Sequence, residues 1–361
     1  MKIAILTDQH FGVRNDNVAF YDYQAKFYRE VVLPYIDAND IKVVWDGGDT
    51  FDRRKYINFH SLKAAKDMWF DELRTRNVQL YTIVGNHTAY YKNTNEVNTM
   101  DLLFADYENM HIVSEAKTLN FDGLDVAFLP WICSGNYQSS MDFINDTPAQ
   151  VLIGHLELAG FEMYKGVVGN DHGFDSKLFD KFDVVMSGHF HHKSTKGNIN
   201  YLGAPYEMTW SDYNDPRGFH IFDTESRELT FIQNPFPMFH KVLYDDVNKT
   251  MEEVIEQDFS GFSNSFVKLI VRNKTNPYWF DIVVDKIEKT GVLDLQIVED
   301  HLNLDLEDDA DIVDEAEDTL TIMRKFVAQY LPETEQTMAK DLNNLLTELY
   351  QEALSAEREA W

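Results

Sequence analysis

The chain is poor in cysteine, in long apolar runs and in positive charge, and each shortage closes off a class of protein. A single cysteine, Cys133, cannot close an intramolecular disulfide. Its neighbours Trp131 and Ile132 predict a part-buried thiol, in a chain made in a reducing compartment. No stretch of about 18 apolar residues occurs, so a membrane-spanning helix is not expected. The apolar run Ile3–Leu6 is stopped by Asp8 and is too short for the core of a secretion signal, which makes the expected location cytoplasmic. No Gly-x-x-x-x-Gly-Lys-Ser/Thr segment exists, so no ATP-binding P-loop is expected. Lysine and arginine number 32 against 61 acids, a net charge of −29. That balance argues against a free-standing DNA-binding module, which needs a basic face, and fits a soluble protein that docks on a basic partner.

What is present describes a globular chain. Its 361 residues are 44% hydrophobic and 14% aromatic, enough for two or three domains with a sizeable core. Short apolar runs alternate with helical patterns. Strands are expected at 2–6, 41–45, 79–84, 125–129, 150–153, 182–186 and 198–202, with helices at 18–36 and around 60–75. This alternation predicts a layered α/β sandwich over residues 1–235. Asn234-Pro235-Phe236-Pro237 reads as a linker. A smaller α/β domain is expected over 238–303, with strands at 266–271 and 294–298. Residues 305–318 hold nine acids among fourteen, so 304–332 reads as an acidic linker. After Pro332, the residues Met338, Leu342, Leu345, Leu346, Leu349 and Leu354 give 333–361 an amphipathic helical pattern, able to pack on its own domain or on a partner.

Polar motifs sit where the predicted strands stop, the place where open α/β sheets hold ligands. They are Asp8-Gln9-His10, Gly47-Gly48-Asp49, Gly85-Asn86-His87, Gly154-His155 and Gly188-His189-Phe190-His191. A single strand-end histidine is usually a hydrogen-bonded structural residue. Five motifs repeating the same strand–glycine–polar logic are not explained that way. Their donors are nitrogen and oxygen only, which suits Mn, Fe, Zn or Mg. Asp49 can offer its two oxygens to two ions, and His87 is left for acid–base work. Arg53, Arg54 and Lys55 follow the second motif and are candidates for the substrate backbone, although a solvated basic loop explains them equally well. His192 adjoins the fifth motif and is a further candidate for substrate contact. His60, His111, His172, His220, His240 and His301 lack this setting.

These motifs, with Asp215-Pro216-Arg217-Gly218-Phe219 further on, resemble the calcineurin-like metallophosphoesterases. Within them they are similar to the SbcD-type DNA repair and recombination nucleases, the recombination endonuclease subunits of T-even phages included. The resemblance covers about residues 1–220. It implies an α/β/β/α sandwich with a smaller capping, DNA-binding domain. It implies one metal on Asp8, His10, Asp49 and His191, and a second on Asp49, Asn86, His155 and His189. The metal would most often be Mn, and His87 would act on the scissile phosphate. It also implies a DNA exo- and endonuclease, a homodimer within a heterotetramer, and a coiled-coil ABC-type ATPase partner. The segment 333–361 is the candidate docking element, and the location would be the host-cell cytoplasm if the chain is phage-encoded. Asp52 stands where cellular relatives often carry a histidine, which puts that histidine's role in doubt here. A phosphatase or nucleotidase of the same superfamily, and a non-catalytic scaffold, are the rival readings.

Overall fold

The computed structural model of the chain describes residues 1–165, 167–168, 173–299 and 342. The expected acidic linker 304–332 lies outside these residues, as does the expected helix 333–361 apart from Leu342. Residues Met1–Met208 and Asp212–Val298 form one compact unit.

The sandwich is built from two six-stranded mixed sheets. The first runs, in spatial order, Leu229–Gln233, Gly218–Asp223, Lys2–Leu6, Val43–Asp46, Gln79–Ile83 and Met110–Val113. The second runs Ser194–Lys196, Ile199–Tyr201, Val184–Gly188, Val151–His155, Leu124–Leu129 and Lys117–Phe121. The central strands of each are parallel. They are buried along nearly their whole length, which explains their reading as unbroken apolar runs such as Val43-Val44-Trp45. The antiparallel pair at one edge of the first sheet, Gly218–Asp223 and Leu229–Gln233, was not expected from the sequence. His220 interrupts the apolar run of one, and the other is only half-buried.

One buried cluster takes side chains from both sheets, so the sheets face each other. Trp45 of the first sheet lies 5.0 Å from Phe121 and 5.5 Å from Phe128 of the second, ring centre to ring centre. The outer face of the second sheet is covered by the helix Tyr137–Asp146, through Ile144, and by Phe179. On the outer face of the first, Phe219 meets Phe27 at 6.3 Å and Tyr35 at 5.5 Å from a helix running over residues 18–38. Asn17 caps that helix by accepting the Ala19 N–H at 2.9 Å. It widens into a π-helical turn over Tyr28–Val32, just ahead of Pro34, which has no N–H to give the carbonyl of Glu30. A second π turn over Lys66–Phe70 interrupts the helix at 59–75 and carries Trp69 onto Tyr28, 4.8 Å away. Tyr28 Oη then donates to Gln9 Oε1 at 2.5 Å. The helical layer is thereby tied to the residue lying between Asp8 and His10.

A third, smaller sheet contains Phe239–Asp245, Phe266–Asn273 and Asp294–Glu299. The helix Pro277–Lys289 packs on it, its Val283 sharing a separate apolar cluster with Val242 and Leu269. Several contacts fasten it to the main body. Phe20 stacks on Phe266 and meets Phe239 at a tilt, Lys241 lies over the ring of Tyr213, and the Glu207 carboxylate accepts the N–H groups of Met238 and Phe239 at 2.6 and 2.9 Å.

Candidate metal centre

The five motifs converge. Three follow the parallel strands of the first sheet and two lie at the ends of parallel strands of the second, so the site spans the carboxyl ends of both sheets. The loops are locked together by backbone bonds. Asp8 N donates to Gly48 O at 2.9 Å, and His10 N to Asp49 O at 3.0 Å. His189 N, from the second sheet, donates to the Asp8 carboxylate at 3.1 Å.

Turning these side chains inward demands unusual backbone. Asp8, His10, Asp49 and His189 all have positive φ, at 52°, 44°, 51° and 88°. Each such non-glycine residue costs on the order of 1–3 kcal/mol and persists only where the surroundings over-determine it. Two glycines permit the close approach. A Cβ on Gly188 would run into Thr7 Oγ1 and Asp8 Oδ2, and one on Gly85 would run into Asp49.

The ligand candidates fall into three groups, two of which share a residue. Asp8, His10 and His191 form the first, Asp49, His155 and His189 the second, and His10, Asp52 and His87 the third. In the first, His10 Nε2 and His191 Nε2 face each other at 3.0 Å, and each lies 3.9 Å from Asp8 Oδ1. In the second, Asn86 Oδ1 lies 2.8 Å from His155 Nε2 and 2.9 Å from His189 Nδ1, and Asp49 Oδ2 lies 3.2 Å from His155 Nε2. All eight residues expected to carry the chemistry, Asp8, His10, Asp49, Asn86, His87, His155, His189 and His191, are at this one site.

Hydrogen bonds fix which ring nitrogen is free. His155 Nδ1 lies 2.9 Å from Gly47 O. A carbonyl only accepts, so Nδ1 carries the proton and Nε2 turns a lone pair inward. His10 Nδ1 lies 3.3 Å from Asp52 Oδ1, an ion-pair contact without a hydrogen bond, while its Nε2 faces the site. His87 Nδ1 lies 2.6 Å from Asp52 O, while His87 N donates to Asp49 Oδ1 at 2.7 Å. Its Nε2 stays unengaged among the described residues, in a ring centred 4.8 Å from that of His10.

The electrostatics fit cations. Burial pushes the Asp8 carboxyl up, with Asp49 adding to the effect. Burial would push Asp49 up as well, but His155, His87 and His10 together outweigh it and hold Asp49 well below the usual carboxylate range. Burial would lower His155, yet the Asp49 carboxylate holds it at about 9. Burial, then the neighbouring His155, brings His189 down to about 3. Burial, then His10, pushes His191 well down. Two buried carboxylates and four imidazoles packed this closely are costly unless positive charge lies among them. The oxygen and nitrogen donors present suit two divalent ions.

Asp52 has a place that the sequence left in doubt. Its side chain lies against His10 Nδ1 and its carbonyl accepts from His87 Nδ1. Arg217, in the segment Asp215–Phe219, donates to the main-chain carbonyl of His191 and pairs with Asp212 and Asp215 at 2.6 and 2.8 Å. It clamps the fifth motif. No local pattern around Arg217 announces this role, which depends on contacts between distant residues.

The candidate substrate residues separate. His192 is held by Asp215, 3.0 Å from Nδ1, with Glu162 3.7 Å from Nε2. Both of its nitrogens face carboxylates, and its position is explained by that pairing. Arg53 is engaged by Tyr56 Oη at 2.5 Å, by Asn15 and by Asp16. Lys55 is exposed. Arg54 is half-buried over the ring of Trp131, 5.1 Å from its centre.

Two sheets meeting at a carboxylate–histidine cluster describe a metallophosphoesterase. The family model for calcineurin-like phosphoesterases matches residues 1–193, and the chain belongs to that family of hydrolases. It is 31% identical over 354 residues to Exonuclease subunit 1 of phage T4, covering 98% of this chain and 99% of that protein. It is also similar to the SbcD subunit of the SbcCD nuclease of Staphylococcus epidermidis, 28% identical over 42% of this chain and 38% of that one. The corresponding subunit from Staphylococcus saprophyticus is 30% identical over 25% of each chain.

Proposed function

We propose that this chain is the nuclease subunit of an ATPase–nuclease complex. In this reading it is Mn-dependent, hydrolyses DNA phosphodiesters exo- and endonucleolytically, and processes DNA ends in recombination, repair and recombination-dependent replication. The observation that carries the reading is the complete pair of ligand sets, with a free His87 nitrogen beside them. The full-length similarity to a protein named as an exonuclease subunit supports the choice of DNA over other phosphoesters.

In this reading Asp8, His10, Asp49 and His191 hold one ion, and Asp49, Asn86, His155 and His189 hold the other. When bound, the two ions supply Lewis acidity, lowering the pKa of water and neutralising phosphoryl charge. The rest falls to the chain. The main-chain carbonyls of Asp52 and Gly47 orient His87 and His155. As the imidazolium, with Nδ1–H on the Asp52 carbonyl, His87 would present Nε2–H to the scissile phosphate, where it hydrogen-bonds the developing charge or passes that proton to the leaving 3′-oxygen. The net charge of −29 does not oppose a DNA substrate. Exposed acids are screened beyond about 8 Å, and the partner supplies much of the DNA surface. The small sheet region 238–303 is the capping, DNA-binding part. The chain acts as a homodimer with a coiled-coil ABC-type ATPase, docked through 333–361.

The experiment is incubation of the pure protein, with and without Mn, with end-labelled single- and double-stranded DNA and with mononucleotides. Mn-dependent DNA cleavage is expected. Hydrolysis of mononucleotides with none of DNA would overturn the assignment in favour of a nucleotidase. Deleting 333–361 should abolish co-purification with the ATPase; unchanged binding would refute the docking role.

A further inference from the structure

Arg54 is an arginine the fold half-buries without giving its buried Nη1 an acceptor among the described residues. This is unexpected in a chain where acids outnumber bases 61 to 32. Carboxylates are plentiful, and the adjacent Arg53 has Asp16, Asn15 and Tyr56 around it. A buried guanidinium N–H without an acceptor is costly, so the arrangement points to an acceptor that arrives from outside the chain.

The position of Arg54 says which acceptor. It follows Asp49 by five residues, on the loop that also carries Asp52. Burial lowers its pKa, and the carboxylate opposing that effect is Asp49 of the metal centre. Its guanidinium lies over Trp131, and that residue is itself fixed. Trp131 N donates to Val84 O at 2.9 Å, directly ahead of Gly85-Asn86-His87. The Trp131 carbonyl accepts from Asn95 Nδ2 at 2.9 Å and from Asn136 Nδ2 at 3.0 Å. A planar, always-charged fork, oriented in advance on an aromatic face, matches two oxygens of a phosphate. The metal ligands and His87 already surround the scissile group.

We propose that Arg54, stacked on Trp131, anchors the phosphate flanking the scissile one in a bound DNA strand. The proposal rests on the reading of the site as a DNA nuclease and adds to it the residue that grips the strand next to the cut.

The test measures binding apart from cleavage. A short fluorescein-labelled single strand is titrated with the full chain in the presence of Ca, and anisotropy gives Kd. Arg54→Ala should weaken binding about tenfold or more and lower the salt slope by about one phosphate contact. Arg54→Lys keeps the charge without the fork and should recover only part of the loss. Lys63→Ala, an exposed helix residue paired with Asp67, should bind as wild type. Mn binding by calorimetry and the thermal midpoint should be unchanged in Arg54→Ala. So should hydrolysis of bis(p-nitrophenyl) phosphate, which has a single diester and no flanking phosphate. Wild-type DNA affinity in Arg54→Ala overturns the proposal, as does an equal loss on the small diester, which would place Arg54 on the scissile group. A wild-type chain that binds DNA through Arg54 yet never cuts it would sink the nuclease reading and leave this one standing.

Discussion

At the scale of single residues, main-chain carbonyls set which nitrogen two of the histidines offer. The carbonyls of Gly47 and Asp52 take the Nδ1 protons of His155 and His87, and the Asp52 carboxylate lies 3.3 Å from His10 Nδ1. His87, grouped with His10 and Asp52, keeps a free Nε2 among the described residues, and the proposed reading assigns it to chemistry and not to either ion. His87→Ala should therefore retain both ions by calorimetry while losing about 10²–10⁴-fold in DNA cleavage. A variant cutting at the wild-type rate would refute the role. Asp49→Ala should lose both ions, because Asp49 is assigned to each set. The identities of these residues were legible in the sequence as five strand-end motifs. The tautomers were not, because the acceptors that fix His155 and His87 are main-chain carbonyls 108 and 35 residues away in the chain.

At the scale of elements, strand ends and helix irregularities position the site. Strands predicted from apolar runs were found within two or three residues of their expected places, since buried parallel strands leave that signature. The antiparallel edge pair left none, one strand being broken by His220 and the other half-exposed. The two π turns were also invisible, yet they bring Trp69 and Tyr28 together beneath Gln9. The joint between main body and small sheet is the place for a pH-dependent test. Burial pushes the Glu207 carboxyl up to about 7, with the Phe239 and Met238 N–H groups opposing the shift. An unfolded glutamate titrates near about 4.3, so the folded state holds the proton more tightly. The stability tied to that proton is full below about pH 4 and is lost as pH rises through about 7, to an extent of roughly 3 kcal/mol at most. Glu207→Gln cannot ionise and its amide oxygen can still accept. Urea unfolding at about pH 5 and about pH 8 should show the variant gaining on wild type at the higher pH. An equal offset at both pH values would contradict the account.

At the scale of the whole molecule, the two sheets contribute to one charged centre, and the fold carries a cost there that bound cations relieve. Positive-φ backbone at four ligand positions and two buried carboxylates are stable together only when something compensates them. Metal should therefore stabilise the entire chain. At free Mn a hundredfold above its Kd, the expected gain is about 2.7 kcal/mol, read as a rise in the thermal midpoint that a chelator reverses and Asp49→Ala abolishes. A midpoint indifferent to Mn would count against a preformed two-ion site. The sequence alone determined the candidate ligands, the strands that end on them and the family, because these are local patterns of residue type and spacing. Only the tertiary structure decided which ring nitrogens face the site, that Asp52 lies against His10 and His87, that Arg217 clamps His191, and that Arg54 Nη1 has no acceptor among the described residues. Those outcomes depend on which distant carbonyls, carboxylates and rings are brought within hydrogen-bond reach, and no local spacing encodes that.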